Sequence, residues 1–125
     1  MGTVFWLALA GALGTITRFA MVDLVQRVAR PGFPWGTAAV NVMGCFLTGL
    51  FWAVARHHLR LSNVVQTAVL VGFLGGFTTF SAMMLETGRL ARSPLWLHAA
   101  GNLLLQNALG LGSMWLGWVA GRHLL

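Results

Sequence analysis

Residues 75–81 read GGFTTFS, inside a stretch of 22 residues, 64–85, that carries no charged side chain. That stretch is long enough to cross a membrane as a helix, which takes ~20 mostly apolar residues. Its midpoint falls between Leu74 and Gly75, so the pair Gly75–Gly76 is expected at the bilayer centre. Each glycine weakens a helix by about 1 kcal/mol relative to alanine. Thr78, Thr79 and Ser81 then bring three hydroxyls into the next turn. The reading is a helix broken at the glycines. Broken backbone survives at that depth only when it is buried in protein or lines a water-filled cavity. The break leaves carbonyls at the end of the first half, which suit a cation, and amides at the start of the second, which favour an anion. Gly72 and Gly76 are also four apart, as in a small-residue packing face.

The rest of the chain is written for the same solvent. Of 125 residues, 58% are hydrophobic and 8% charged, with a mean hydropathy of +0.78. Soluble domains carry about 25% charge. A chain this short keeps much of its surface exposed, so that surface is itself apolar. Four stretches have spanning length: residues 4–25, 36–55, 64–85 and 95–121. Between them lie RVARPGFP, RHHLRLSN and RLARSP, which hold Pro31, Pro34 and Pro94 where helices stop or start. The opening FWLALAGALG lacks a preceding basic segment and its apolar character runs on, so it reads as a first span rather than a signal peptide. Trp6, Trp35, Trp52, Trp96 and Trp118 fall near span ends, as an interfacial aromatic belt requires. The expected fold is a single domain, 1–125: an all-α membrane protein of four transmembrane helices with a break in the third.

Charge excludes more than it assigns. The net charge of +6 comes from arginine without lysine. The arginines stand singly or in pairs between apolar segments, without the basic stripe that nucleic-acid binding needs. Four spans place Arg56, Arg60 and Arg122 on one side and Arg27, Arg30, Arg89 and Arg92 on the other. Three against four sets no orientation by the positive-inside rule. A chain so balanced is able to insert both ways, and two opposed copies would pair as an inverted repeat. The two carboxylates, Asp23 and Glu86, sit near span ends and form no acid–base pair. His57, His58, His98 and His123 read as solvated interface residues, and Ser81 has no evident base, so no enzyme is expected. Cys45 is without a partner for a disulfide and reads as a small packing residue.

Uncharged polar side chains inside the spans remain. Thr37 and Asn41 are four apart and share a helix face. Asn102, Gln106 and Gly110 repeat at the same spacing, with Asn107 and Ser113 close by. A lone amide is common interhelical glue. A stripe of amides facing another amide reads as a wet track, because polar residues in spans face a bundle interior or cavity. Arg18, past the middle of its span, stays protonated and sets a positive potential that favours anions. Phe77 and Phe80 have positive ring edges that can stabilise a small anion in a narrow pore without holding it.

Three motifs carry a family resemblance: GALGTITR at 11–18, GTAAVNVMG at 36–44 and GGFTTFS at 75–81. With the four-span layout, the chain resembles the Fluc (CrcB) fluoride channels over essentially its whole length. The resemblance implies an antiparallel, dual-topology homodimer in a bacterial inner membrane, with two fluoride pores and a central structural Na+. It implies that the backbone carbonyls of Gly75 and Thr78 of each subunit hold the Na+. It places the pore asparagine at Asn41, the first pore phenylalanine at Phe80, the motif arginine of an electropositive vestibule at Arg18, and a pore hydroxyl at Thr37. Thr79 and Ser81 join the pore from the same motif. The chain departs from the pattern at Met83, where a second phenylalanine is usual, and at Asn102 and Gln106, where tyrosine and serine are common.

These readings converge on a fluoride-selective channel that lowers cytoplasmic fluoride by passive export. Fluoride is strongly hydrated, so a pore must replace its water with donors, here Asn41, Thr37, Asn102 and Gln106, with Phe80 and Met83 at the narrow point. Two other functions fit four spans. A dual-topology multidrug exporter needs a titratable carboxylate near mid-membrane. A non-transporting packing subunit would pair the amides of spans two and four with each other.

Overall fold

The computed structural model describes residues 1–57 and 61–123. His58 and Arg60 of the sequence reading lie outside the described residues. The elements are α1 (Gly2–Val28), α2 (Trp35–His57), α3 (Asn63–Thr67), a π-helical segment (Ala68–Leu74), α4 (Gly75–Phe77), α5 (Phe80–Ala91) and α6 (Trp96–His123). Four helical stretches, Gly2–Val28, Trp35–His57, Asn63–Ala91 and Trp96–His123, are long and apolar enough to cross a membrane. The third is broken. The chain is a multi-pass, all-helical membrane protein.

Local chemistry explains the ends. Ser62 caps α3, its hydroxyl accepting from the Val65 amide. The α1–α2 loop turns at Gly32, whose φ of 99° favours a residue without Cβ. Gln26 pins that loop, donating to the Phe33 carbonyl and accepting from the Gly36 amide, each at 3.1 Å. At exposed ends, Arg56 lies over the Trp52 ring and Arg122 over the Trp118 ring, 5.6 and 4.6 Å from the centroids. These pairs anchor an interface by cation–π attraction.

Helix α2 is the centre of the bundle. It packs along α6, crosses α1 and faces the broken third span. Small residues permit the closest approach. A Cβ added at Gly49 would strike the Met114 carbonyl, and one at Gly117 would strike the Phe46 carbonyl. Each helix thus lays a glycine on the other's backbone. The Ser113 hydroxyl spans the same seam, 2.9 Å from the Val42 carbonyl and 3.0 Å from its own helix at Gly110. We expect Ser113→Ala to lower stability by about 0.6 kcal/mol, the usual size of a transmembrane hydrogen bond. Thermal unfolding in detergent checks this.

The break does not fall at the glycines. The helix runs through Gly75 and Gly76 to Phe77, and the extended residues are Thr78 (φ −89°, ψ 158°) and Thr79 (φ −151°, ψ 110°). Gly76 serves contact instead. A Cβ there would meet the Gly11 carbonyl of α1 at 2.7 Å. Gly72 packs on Ala10 and Leu7 of the same helix. The small-residue face therefore holds the third span to α1 within one chain. Thr78 and Thr79 are β-branched and take extended backbone readily. The turn before them is wound wide, with the Gly75 amide reaching back to the Leu70 carbonyl five residues earlier. Such π segments often lie beside functional sites.

Candidate ion-path site at the helix break

The two backbone groups of Thr79, freed by the break, find their partners in one neighbouring side chain. In an unbroken helix the Thr79 amide would bond the Gly75 carbonyl. Here it donates to Asn41 Oδ1 at 2.7 Å. Asn41 Nδ2 returns the bond to the Thr79 carbonyl at 3.1 Å and donates its other hydrogen to Gln106 Oε1 at 2.7 Å. Asn41 therefore clamps both backbone groups of one extended residue. Thr79 Oγ1 caps α5 by accepting from the Ala82 amide at 3.2 Å, and lies 3.3 Å from Ser81 Oγ. Thr78 Oγ1 donates back to the Leu74 carbonyl, and the Thr78 methyl sits over Gly44 of α2.

Two open clefts meet at this wall, and Thr79 lines both. The first, about 250 Å³, is bordered by Asn41, Thr78, Phe80, Met83, Gln106 and Asn107, with Cys45 and Met114 further along. The second, about 770 Å³, is bordered by Arg18, Asp23, Thr37, Ser81 and Glu86. The structure thus brings Arg18, Thr37, Asn41, Phe80, Ser81, Met83 and Gln106 together on two sides of Thr79, whereas Asn102 and Gly75 line neither cleft. Their exposures differ. Phe80 is 69% exposed, whereas Met83 is buried. Asn102 and Gln106 are buried, with Gln106 Nε2 donating to Asn102 Oδ1 at 2.7 Å. The amide stripe of α6 is therefore not an open track along its length. Gln106 borders the first cleft, and Asn102 borders neither of the two.

Arg18 reaches the break from α1, Nη1 lying 3.4 Å from the Thr78 carbonyl. That is a long, weak bond. Asp23 does not neutralise it, because Asp23 pairs with Arg27 at 2.8 Å, one turn further along α1. Among the described residues, Arg18 thus has no ion-pair partner within its cleft, which it shares with Glu86 of α5.

Hydropathy puts Glu86 at a span end. The helix instead continues to Ala91, and Thr37 Oγ1 donates to Glu86 Oε1 at 2.6 Å. Among the described residues, Glu86 Oε2 is buried with no hydrogen-bond partner. An unsatisfied buried carboxyl oxygen is costly, and Glu86 is one of the residues that line the second cleft. The signal available in the sequence was its spacing. Glu86 lies seven residues, two helical turns, after Thr79.

The break also has the chemistry of a hard-cation site. Gly75 has lost its helical donor to Asn41, and its own face is open, a Cβ there meeting only the Leu70 carbonyl of its own segment. Carbonyl oxygens are the ligands that such ions take. The residues present therefore fit a Na+ held by the Gly75 and Thr78 carbonyls. One chain offers two such oxygens. The Arg18 guanidinium, which donates to the Thr78 oxygen, would compete with such an ion for it.

Comparison with known proteins joins these features. Residues 5–118 match the family described as CrcB-like protein, Camphor Resistance (CrcB). A protein of Desulforapulum autotrophicum named fluoride-specific ion channel FluC is 50% identical over 117 residues, 94% of each chain. Proteins of the same name from Nitrosococcus oceani and Geobacter sulfurreducens are 47% identical over 113 residues and 40% identical over 124. The first covers 90% of both chains, and the second 99% of this chain and all of its own. The matched region takes in all four spanning stretches and the clamped break between them, and on this ground the chain belongs to the CrcB-like family.

Proposed function

We propose that this chain is a fluoride-selective ion channel that releases fluoride passively from the cytoplasm. The observation that carries the reading is the wall at Thr79. A polar break, clamped by Asn41, separates an Arg18-bearing cleft from one edged by Phe80, Met83 and Gln106. Relatives matched over nearly the whole chain are named fluoride-specific ion channel, and a polar break of this kind suits such a path. Arg18 draws the anion into a low-dielectric cleft. The Thr37, Ser81 and Thr79 hydroxyls and the Gln106 end of the amide stripe exchange hydrogen bonds for its water. Beyond Thr79, the Phe80 edge and the polarizable Met83 thioether offer weak attraction, so that the ion enters and also leaves.

The working unit is an antiparallel homodimer of dual-topology chains in a bacterial inner membrane. Support comes from the balanced arginines and from Phe80, which points out of the single chain and needs a second surface to become a pore wall. A Na+ between the two breaks would join Gly75 and Thr78 carbonyls of both copies and hold the dimer. Lipid covers the remaining apolar faces, such as Phe5 and Phe19 of α1, which are 62% and 78% exposed.

The test is fluoride efflux from proteoliposomes, read with an electrode, with chloride as control. We expect fluoride to leave and chloride to stay. Efflux that falls when Na+ is withheld, and crosslinks between opposed copies, would support the dimer. Crosslinks between parallel pairs alone would sink it. A second reading has one observation in its favour: the buried Glu86 carboxylate is what a proton-coupled exporter would need. Such an exporter would move organic cations against a pH gradient and leave fluoride in place. The Asn41–Gln106 pair is also the pairing expected of a non-transporting bundle, for which neither flux would appear.

A further inference from the structure

The amides at the break belong to a longer chain of hydrogen bonds that crosses three helices and returns to α5. Asn41 donates to Gln106, and Gln106 to Asn102, each at 2.7 Å. Asn102 Nδ2 donates to Thr87 Oγ1 at 2.9 Å. The Thr87 hydroxyl donates to the Met83 carbonyl at 2.7 Å. All the donors point one way, from Thr79 towards Thr87.

An amide side chain has nearly the same shape after a half turn, so each link alone could face either way. Backbone groups at the two ends remove that freedom. At one end Asn41 meets one N–H and one C=O of Thr79, which fixes its oxygen and nitrogen. Both hydrogens of Asn41 are then spent, and Gln106 must present oxygen to it. At the other end, the single Thr87 hydrogen is committed to the Met83 carbonyl. Thr87 Oγ1 can therefore only accept, and Asn102 must present nitrogen. The two ends agree, and the chain has one sense.

We propose that Thr87, which touches neither cleft, is a positioning residue for the ion path. It terminates the amide chain and so holds Gln106 and Asn41 in the orientation that clamps the break. Without its oxygen, the buried Asn102 NH2 faces no acceptor there. Turning Asn102 over sets nitrogen against Gln106 Nε2, and turning Gln106 sets nitrogen against Asn41 Nδ2. The mismatch travels to the Thr79 clamp. A chain of aligned hydrogen bonds in a low-dielectric interior transmits such a defect because its members polarise one another.

This inference rests on the fluoride reading for its effect on flux, and on the hydrogen bonds alone for its effect on the break. The test compares Thr87→Val, which keeps shape and removes the hydroxyl, with Thr87→Ser, which keeps the hydroxyl. Two readouts are taken on the full chain: fluoride efflux from proteoliposomes and hydrogen exchange of the Thr79 backbone amide. Thr87→Val is expected to slow efflux and speed Thr79 exchange, each by about tenfold, the scale of one lost buried hydrogen bond. Thr87→Ser is expected to stay within about twofold of the wild type on both. Unchanged Thr79 exchange in Thr87→Val overturns the proposal, whatever happens to flux. So does faster exchange with normal flux. If the wild type itself conducts no fluoride, the fluoride reading fails separately and the exchange rate decides the amide chain. If Thr87→Val does not fold, Thr87→Ala takes its place in both measurements.

Discussion

Asn41→Asp is expected to lower fluoride efflux by about a hundredfold. In the native clamp, Asn41 gives one hydrogen to the Thr79 carbonyl and one to Gln106 Oε1. Aspartate is nearly the same size but, ionised, has no hydrogen to give. It would aim a carboxylate oxygen at two acceptor oxygens in a part-buried site. Stripping a buried charged group of its partners costs about 3 kcal/mol, which corresponds to about a hundredfold in a rate or an equilibrium. The new negative charge also opposes the Arg18 potential across the wall. The check is electrode-monitored efflux from liposomes at matched protein density. Efflux at the native rate would remove Asn41 from the ion path and from the clamp together.

Gly117→Leu is expected to be the most damaging substitution in the scaffold. Its Cβ would land on the Phe46 carbonyl, a backbone atom that cannot rotate away. Gly49 makes the reciprocal contact with the Met114 carbonyl one helical layer along, so α2 and α6 must separate rather than tilt. Overpacking of this kind costs about 3 kcal/mol or more. The same seam carries the Ser113 bonds and sets the distance between Asn41 and Gln106, so the site would loosen with the scaffold. Melting temperature and monodispersity in detergent measure this. A Gly117→Leu protein that purifies and melts like the wild type would refute the close-packed seam.

The scaffold was the more legible half. Four apolar stretches of spanning length separated by proline- and arginine-bearing loops allow few arrangements in lipid, and the helices overlap all four stretches. The site was legible in its residue types and less so in its geometry. GGFTTFS contains two features that a sequence cannot tell apart: glycines that loosen a helix and glycines that admit a neighbour. The presence of α1 against Gly72 and Gly76 decides for the second, and the break moves to the β-branched pair that follows. Glu86 was hidden because a charge ends an apolar run, although the helix carries it inward to Thr37, 49 residues away in sequence. Thr87 was hidden for a different reason. A threonine on a membrane helix usually bonds its own helix, as Thr87 does with Met83, and nothing local announces a second bond from Asn102.

The sequence by itself determined the solvent, the number of spans and the supply of polar groups that a membrane chain must satisfy. Those follow from composition and from periodicity within one segment. The tertiary structure alone decided where the third span opens, which way each amide points, and that Asn102 is scaffold while Gln106 reaches a cleft. Between helices, the hydrogen-bond partners of these amides lie 15 to 65 residues apart in the chain, so only packing brings those donors and acceptors together and gives each amide its direction.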